Sequence, residues 1–193
     1  MTNKLVLKPG AMTLDDLCRV YRHDLEITID ESCKQRVDAA AAIVQQAADG
    51  DGAVYGINTG FGKLASTRIP AQQTTMLQRN LIVSHCCGVG EPLPLNIVRM
   101  VMVLKMLSLG RGASGVRWQL IKRLEAFLQL GLTPVVPEKG SVGASGDLAP
   151  LAHLTAVILG EGYASYRGKT MPALEALQAV GLEPLALGPK EGL

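Results

Sequence analysis

Helical periodicity runs through nearly the whole chain, and it restricts the fold more than any other feature of the sequence. Apolar residues recur at three- and four-residue spacing over Ala71 to Val83, Leu95 to Leu109, Val116 to Leu130, Leu148 to Leu159 and Pro172 to Val180, each run bounded by helix-start or helix-stop residues. Upstream, Thr13 followed by Asp16 marks a variant capping box for a helix through Arg22, and Asp30 opens a longer helix through Ala48 that ends at Gly50. Only Lys4 to Lys8 and Glu26 to Ile29 read as extended, so the expectation is a mainly α fold with a short two-stranded β element near the N-terminus. Between Asp49 and Lys63 five glycines abolish the period, and a loop packed through Tyr55 and Phe61 is expected there. No repeat, low-complexity tract or flexible linker divides residues 1–193, which read as one compact unit with a candidate sub-boundary near residues 110–115.

Composition removes several classes of function. A net charge of +2 with both signs interspersed gives no basic stripe, and 4% aromatic residues offer few stacking platforms, so no nucleic-acid partner is expected. The most apolar runs, Ile97 to Leu109 and Leu148 to Gly160, are broken by Arg99, Lys105 or His153 and fall short of the roughly 20 residues that span a bilayer, so no membrane partner is expected either. The first ten residues lack an apolar core and a cleavage site of the secretory kind, which predicts a cytoplasmic protein. Cys18, Cys33, Cys86 and Cys87 show no metal-binding spacing, and His23, His85 and His153 include no ligand pair at helical spacing, so reduced thiols and no metal site are expected.

The segment from Lys139 to His153 carries the chemistry. It holds Ala144-Ser145-Gly146, with Gly140 and Gly143 close by, Asp147 as an expected N-cap oxygen and Pro150 in the first turn of an apolar helix. In a tight bend the unhindered amide nitrogen of Gly146 can attack the carbonyl carbon of Ala144 and close a five-membered ring with loss of water. Ser145 then loses its hydroxyl as a second water, which leaves an alkene conjugated to the ring carbonyl. Orphan amides and the positive end of the helix dipole would face that carbonyl and stabilise charge on it. The same triplet recurs at Ala113-Ser114-Gly115, but there arginines flank it and it opens an ordinary amphipathic helix.

Other uses of glycine-rich turns fail on spacing. Gly56 to Lys63 places five residues between the glycines where a phosphate loop needs four, and Leu64 stands where Ser or Thr should ligate magnesium. A nucleophile elbow would need glycine where Asp147 stands, and a strand before Gly143.

The Ser145 segment resembles the prosthetic-group loop of the aromatic amino acid ammonia-lyases, and the run Tyr55-Gly56-Ile57-Asn58-Thr59-Gly60-Phe61-Gly62 resembles the loop carrying that family's proposed base. The likeness extends to Leu5–Gly10, Val101–Arg111 and Ala173–Leu193, nearly the whole chain. It implies the N-terminal part of the helical fold that these lyases share with aspartase and fumarase, acting as a homotetramer. It also implies a 4-methylidene-imidazol-5-one formed autocatalytically from Ala144, Ser145 and Gly146, with no external cofactor. Asp147 and Gly143 would hold that loop bent. Tyr55 would remove the β-proton of the substrate; because a phenol has an ordinary pKa of about 10, it needs nearby donors or cations, and the loop amides around Gly60 are candidates.

Ser84-His85 matches the pair found in histidine-specific members, where relatives acting on tyrosine or phenylalanine carry His-Leu or Phe-Leu. A polar pair suits an imidazole, since a buried ring nitrogen without a partner costs roughly 1–3 kcal/mol. L-Histidine is therefore the expected substrate, with trans-urocanate and ammonia as products. The resemblance implies substrate contacts from His85, Ser84, Asn58 and Gly60, while Asn58 and Thr59 are open to two roles, bonding substrate or bonding loop backbone. Cys86-Cys87 replaces the family's usual small alanines without altering this reading, and His153 is expected to face the core or cap a neighbour. The family's enzymes are far longer, and the apolar tail to Leu193 lacks helix-stop residues, so the chain reads as the N-terminal part of a longer polypeptide whose downstream long-helix core is absent. The isolated chain is expected to lack useful turnover, since an incomplete pocket positions substrate poorly. The competing expectations are a catalytically silent fragment or interaction module, and a lyase or aminomutase acting on another aromatic amino acid.

Overall fold

The computed structural model describes residues 4–143 and 146–192, so the expectations attached to Ala144 and Ser145 lie outside the described residues. Strands β1 (Lys4–Leu7) and β2 (Glu26–Ile29) pair in parallel, with Leu5 opposite Ile27 and Leu7 opposite Ile29. Those four side chains are buried on one face, as a period of two requires. The crossover is helix α1 (Leu14–Arg22), whose capping box is present: Thr13 Oγ1 accepts from the Asp16 amide at 3.2 Å and Asp16 Oδ2 accepts from the Thr13 amide at 3.1 Å. Asp30 accepts from the Ser32 amide at 2.9 Å, so it caps a 3-10 turn over Glu31–Cys33 that leads into α2 (Lys34–Asp49).

After the Tyr55 loop come α3 (Ala71–His85), α4 (Leu95–Leu109) and α5 (Trp118–Leu130), then α6 (Leu148–Ile158) and α7 (Ala173–Ala179). The helices α4 and α5 bury Met102, Met106, Ile121, Leu124 and Phe127 in one core, against which α1 and β2 pack. The helix α6 packs on α3. A buried carboxylate fastens β2 to α5: Glu125 Oε1 accepts from the Ile29 amide at 3.0 Å, and Lys122 pairs with the same side chain. Among the described residues no helix is long and apolar enough to cross a membrane, and no group of three or more metal-ligating side chains gathers.

Three features depart from the sequence expectation. First, five short strands stand where extended structure was not expected. The strand β3 (Val89–Pro92) pairs antiparallel with β5 (Pro137–Lys139), and β6 (Tyr163–Tyr166) lies between β4 (Thr133–Pro134) and β7 (Lys169–Pro172). Each has four residues or fewer, too few for alternation to register. Second, α3 runs on to His85, two residues past the expected end, which places the Ser84-His85 pair inside the helix. Third, Asp147 does not cap α6 through its side chain. Its backbone is left-handed (φ 43°, ψ 58°) and no cap hydrogen bond forms, because side-chain capping needs extended backbone at that position. Its carbonyl instead accepts from the Leu151 amide at 3.3 Å.

Candidate functional site

The fold brings distant segments to one cavity of about 300 Å³, walled by α3, α4, α5 and α6 together with the Tyr55 loop. Most of its lining is aliphatic, from residues such as Leu81, Leu109, Leu120 and Leu151. Into it come Tyr55 from the glycine-rich loop, His85 from the last turn of α3, Lys105 from α4, and Gly146 from the bend before α6.

Tyr55 is 59% exposed, and its ring meets Phe61 edge-on with centroids 5.8 Å apart. The loop beneath it is held by Asn58, which is 2% exposed: Oδ1 accepts from the Val54 amide at 2.7 Å, and Nδ2 donates to the carbonyls of Gly52 (2.9 Å) and Ala47 (3.1 Å). Of the two roles open to Asn58, these are bonds to loop backbone, and the residue does not line the cavity. Thr59 is buried in the same way, donating to the Gly60 carbonyl at 3.0 Å. The Gly60 amide donates to the Thr67 carbonyl at 3.1 Å, so it is already engaged inside the loop. A Cβ at Gly60 would stand 2.5 Å from Leu64 Cβ, and this approach is what admits only glycine.

His85 Nδ1 lies 2.7 Å from the Leu81 carbonyl oxygen, so Nδ1 carries the proton in the neutral ring and Nε2 remains an acceptor. Ser84 Oγ donates to the same carbonyl at 3.0 Å and sits 3.3 Å from His85 Nδ1. It is exposed and does not line the cavity.

Gly146 has φ 99°, a left-handed conformation, and a Cβ there would meet nothing within 4 Å. Gly143, also with positive φ, donates its amide to Ser141 Oγ at 3.3 Å in a local turn. Left-handed glycines thus flank Ala144 and Ser145 on both sides, with free space at Gly146.

Two parts of the site escape sequence reasoning. Lys105 registers in the sequence only as an interruption of an apolar run, yet it lies half-buried on the cavity wall, where burial pushes its ammonium below the usual lysine range. Glu191, 5% exposed, lines the cavity and accepts from the Arg117 amide at 2.8 Å, from Arg117 Nη2 at 2.6 Å and from the Gly188 amide at 2.6 Å. That bonding raises the guanidinium's affinity for its proton. Outside the cavity lining, His153 Nε2 accepts from the Gly88 amide at 3.1 Å, tying α6 to the segment after His85, while burial pushes its pKa down. Of the two roles open to it, facing the core or capping a neighbour, the bond formed is one to the backbone of a neighbouring loop.

Residues 12–193 match the family model for aromatic amino acid lyases. The chain is 62% identical over 189 residues to a histidine ammonia-lyase of Bradyrhizobium diazoefficiens, covering 98% of this chain and 36% of that protein. Its structure superposes on histidine ammonia-lyase from Trypanosoma cruzi with a TM-score of 0.88 at 36% identity, over 98% of this chain and 36% of that one. It superposes on the ergothioneine-degrading ergothionase of Treponema denticola with a TM-score of 0.92 at 30% identity, over 98% and 38% respectively. The chain thus spans little more than a third of the length of these relatives. A helical fold shared with solved lyases and a family match over nearly the whole sequence lead to one assignment: the chain belongs to the aromatic amino acid lyase family.

Proposed function

We propose that this chain is the N-terminal portion of a histidine ammonia-lyase, which eliminates ammonia from L-histidine to give trans-urocanate. The observation that carries the reading is the meeting of Tyr55, His85 and Gly146, from three separate parts of the sequence, at one cavity in a chain so similar to a histidine ammonia-lyase. When formed from Ala144, Ser145 and Gly146, the methylidene-imidazolone supplies an electrophilic alkene that no unmodified side chain offers. Tyr55, on the cavity lining, removes the β-proton of the substrate. His85, its Nδ1 proton committed to the Leu81 carbonyl, presents Nε2 as an acceptor for the substrate's imidazole N–H. Ser84 positions His85, and Asn58 and Gly60 shape the loop that carries Tyr55. Gly143 and Asp147, both left-handed, hold the bend in which the ring closes.

The same reading takes L-histidine as the small-molecule partner, needs no external cofactor, and places a homotetramer in the cytoplasm. Two measurements on the complete polypeptide test it. Its intact mass falls short of the sequence value by two waters, and ultraviolet absorbance of urocanate grows when L-histidine is supplied. Ser145→Ala restores the full mass less one oxygen and abolishes turnover while leaving the melting temperature nearly unchanged. Retained turnover in that variant refutes the proposal.

A further inference from the structure

Two aspartyl-glycine steps follow one another where α2 ends, Asp49-Gly50 and Asp51-Gly52, and the fold treats them differently. Asp49 is the last residue of α2, its Oδ1 accepts from Gln45 Nε2 at 2.9 Å, and the Gly50 amide donates to the Gln46 carbonyl at 3.1 Å. That nitrogen is committed to the helix. Asp51 and Gly52 lie beyond it, in a bend outside helix and strand. The Asp51 side chain is fully exposed and meets Arg68 Nη1 at 3.4 Å, an exposed pair of the kind that holds a side chain only weakly. A Cβ at Gly52 would meet nothing within 4 Å, so no neighbour crowds this peptide.

We infer that Asp51-Gly52 is a site of self-modification, at which the chain isomerises to a β-linked isoaspartyl peptide. The Gly52 amide nitrogen, unhindered by a side chain, attacks Asp51 Cγ. A C–N bond forms as the carboxyl group loses its hydroxyl, which leaves with the amide proton as water, and a five-membered succinimide results. One water then adds at the main-chain carbonyl carbon of Asp51 and breaks that carbon's bond to the Gly52 nitrogen. The nitrogen stays joined to Cγ, so the main chain runs through Cβ and Cγ, is longer by one methylene, and leaves the Asp51 α-carboxylate free. One water is lost and one regained.

The extra methylene falls where the Tyr55 loop is fastened. Asn58 Nδ2 bridges the carbonyls of Ala47 (3.1 Å) and Gly52 (2.9 Å), one on either side of the altered linkage, while Oδ1 accepts from the Val54 amide at 2.7 Å. Arg68 Nη2 holds the Gly50 carbonyl at 2.8 Å on the upstream side. A longer path between Ala47 and Gly52 cannot keep all of these bonds, so Asn58 gives up part of them, and Tyr55, three residues past Gly52, loses its support. Isomerisation thereby ages the enzyme through the loop of its base, a consequence that rests on the proposed role of Tyr55.

The complete polypeptide, held at neutral pH and physiological temperature for several weeks with Gly52→Ala and Asp51→Glu beside it, tests the assignment. Electron-transfer fragmentation of its peptides locates β-linkages, and an isoaspartyl methyltransferase counts them. Iso-linkage at Asp51 is expected to exceed that at Asp49 about tenfold or more, and to fall about tenfold in Gly52→Ala, whose methyl crowds the attacking nitrogen but meets no neighbour in the fold. Asp51→Glu, which would need a six-membered ring, should form none. Amide exchange at Val54 should quicken about tenfold in the iso-linked chain and stay unchanged in both aged variants. Turnover of L-histidine should fall in proportion to the iso-linked fraction and persist in both variants. Iso-linkage absent from Asp51, equal at the two aspartates, or undiminished in Gly52→Ala overturns the proposal, as does unchanged Val54 exchange in the iso-linked chain. If Val54 exchange quickens while the iso-linked chain turns over normally, the modification stands and Tyr55 is refuted as the base. If L-histidine is never turned over yet iso-linkage and Val54 exchange rise together, the modification stands and the reaction is refuted.

Discussion

Replacing Glu191 by alanine should destabilise the chain more than any single change at its surface. The carboxylate is 5% exposed and gathers two backbone amides, those of Arg117 and Gly188, together with the Arg117 guanidinium, so that α5 is fastened to the segment beyond α7. In Glu191→Ala the two amides lose their acceptor, while Arg117 Nη2 keeps the Ala186 carbonyl at 2.7 Å. Arg117 is itself 43% exposed in its side chain, so water recovers most of the guanidinium's loss and its share must be discounted. The two amides are part-buried, and leaving such donors unmet costs about 1–3 kcal/mol each. We therefore expect a loss of about 3 kcal/mol. For a domain of this size that corresponds to a fall in melting temperature of about 6–12 °C, read by circular dichroism at 222 nm. Glu191→Gln, which keeps one acceptor oxygen but turns an amide N–H toward the donors, should fall between alanine and the native residue. A melting temperature for Glu191→Ala within about 2 °C of the native value would show that the cluster is solvated in the native state and that the reasoning fails.

Two other outcomes follow from the fold. Because His153 must be neutral to accept from the Gly88 amide, and burial holds its folded pKa below the ordinary value near 6.5, its contribution is complete above that value. It is lost as pH falls through the depressed folded pKa, so between pH 7.5 and 5 the melting temperature of the native chain should drop more steeply than that of His153→Gln; parallel slopes contradict the assignment. Thr13→Ala, which breaks a formed capping box, should cost about 1 kcal/mol in urea denaturation, whereas Asp147→Asn, which loses no cap bond and keeps a residue tolerant of left-handed backbone, should stay within about 0.5 kcal/mol. A loss of about 1 kcal/mol or more in Asp147→Asn would show that the Asp147 carboxylate is engaged in the folded chain and refute that expectation.

Local chemistry was legible wherever it acted within a few residues. The bounds of α4 follow from Pro94 and Gly110, and the start of α1 follows from Thr13 and Asp16, because these signals are written into consecutive positions. The short strands were not legible, since Val89–Pro92 and Thr133–Pro134 owe their extended form to partners far along the chain. One had a missed local cue: β6 and β7 are joined by Arg167-Gly168, both with positive φ, a two-residue hairpin turn that Gly168 makes readable. Asp147 was misplaced because composition suggests a cap, while its side-chain bond depends on backbone angles that composition does not specify. Among the site residues, Tyr55 and His85 stood out through motifs. Lys105 did not, because its meaning lies in what α3 and α6 leave empty around it.

The cavity also has a history during synthesis. Its walls are contributed by residues as early as Tyr55 and as late as Gly192, so at ribosomal speeds on the order of ten seconds separate the emergence of the first from the last. Throughout that interval α3 and α4 offer water an aliphatic surface that nothing yet roofs. A nascent chain paused before Arg117 and Glu191 can meet is thus the form most in need of a chaperone, and synonymous codon changes that slow that stretch should lower yield without altering a single residue.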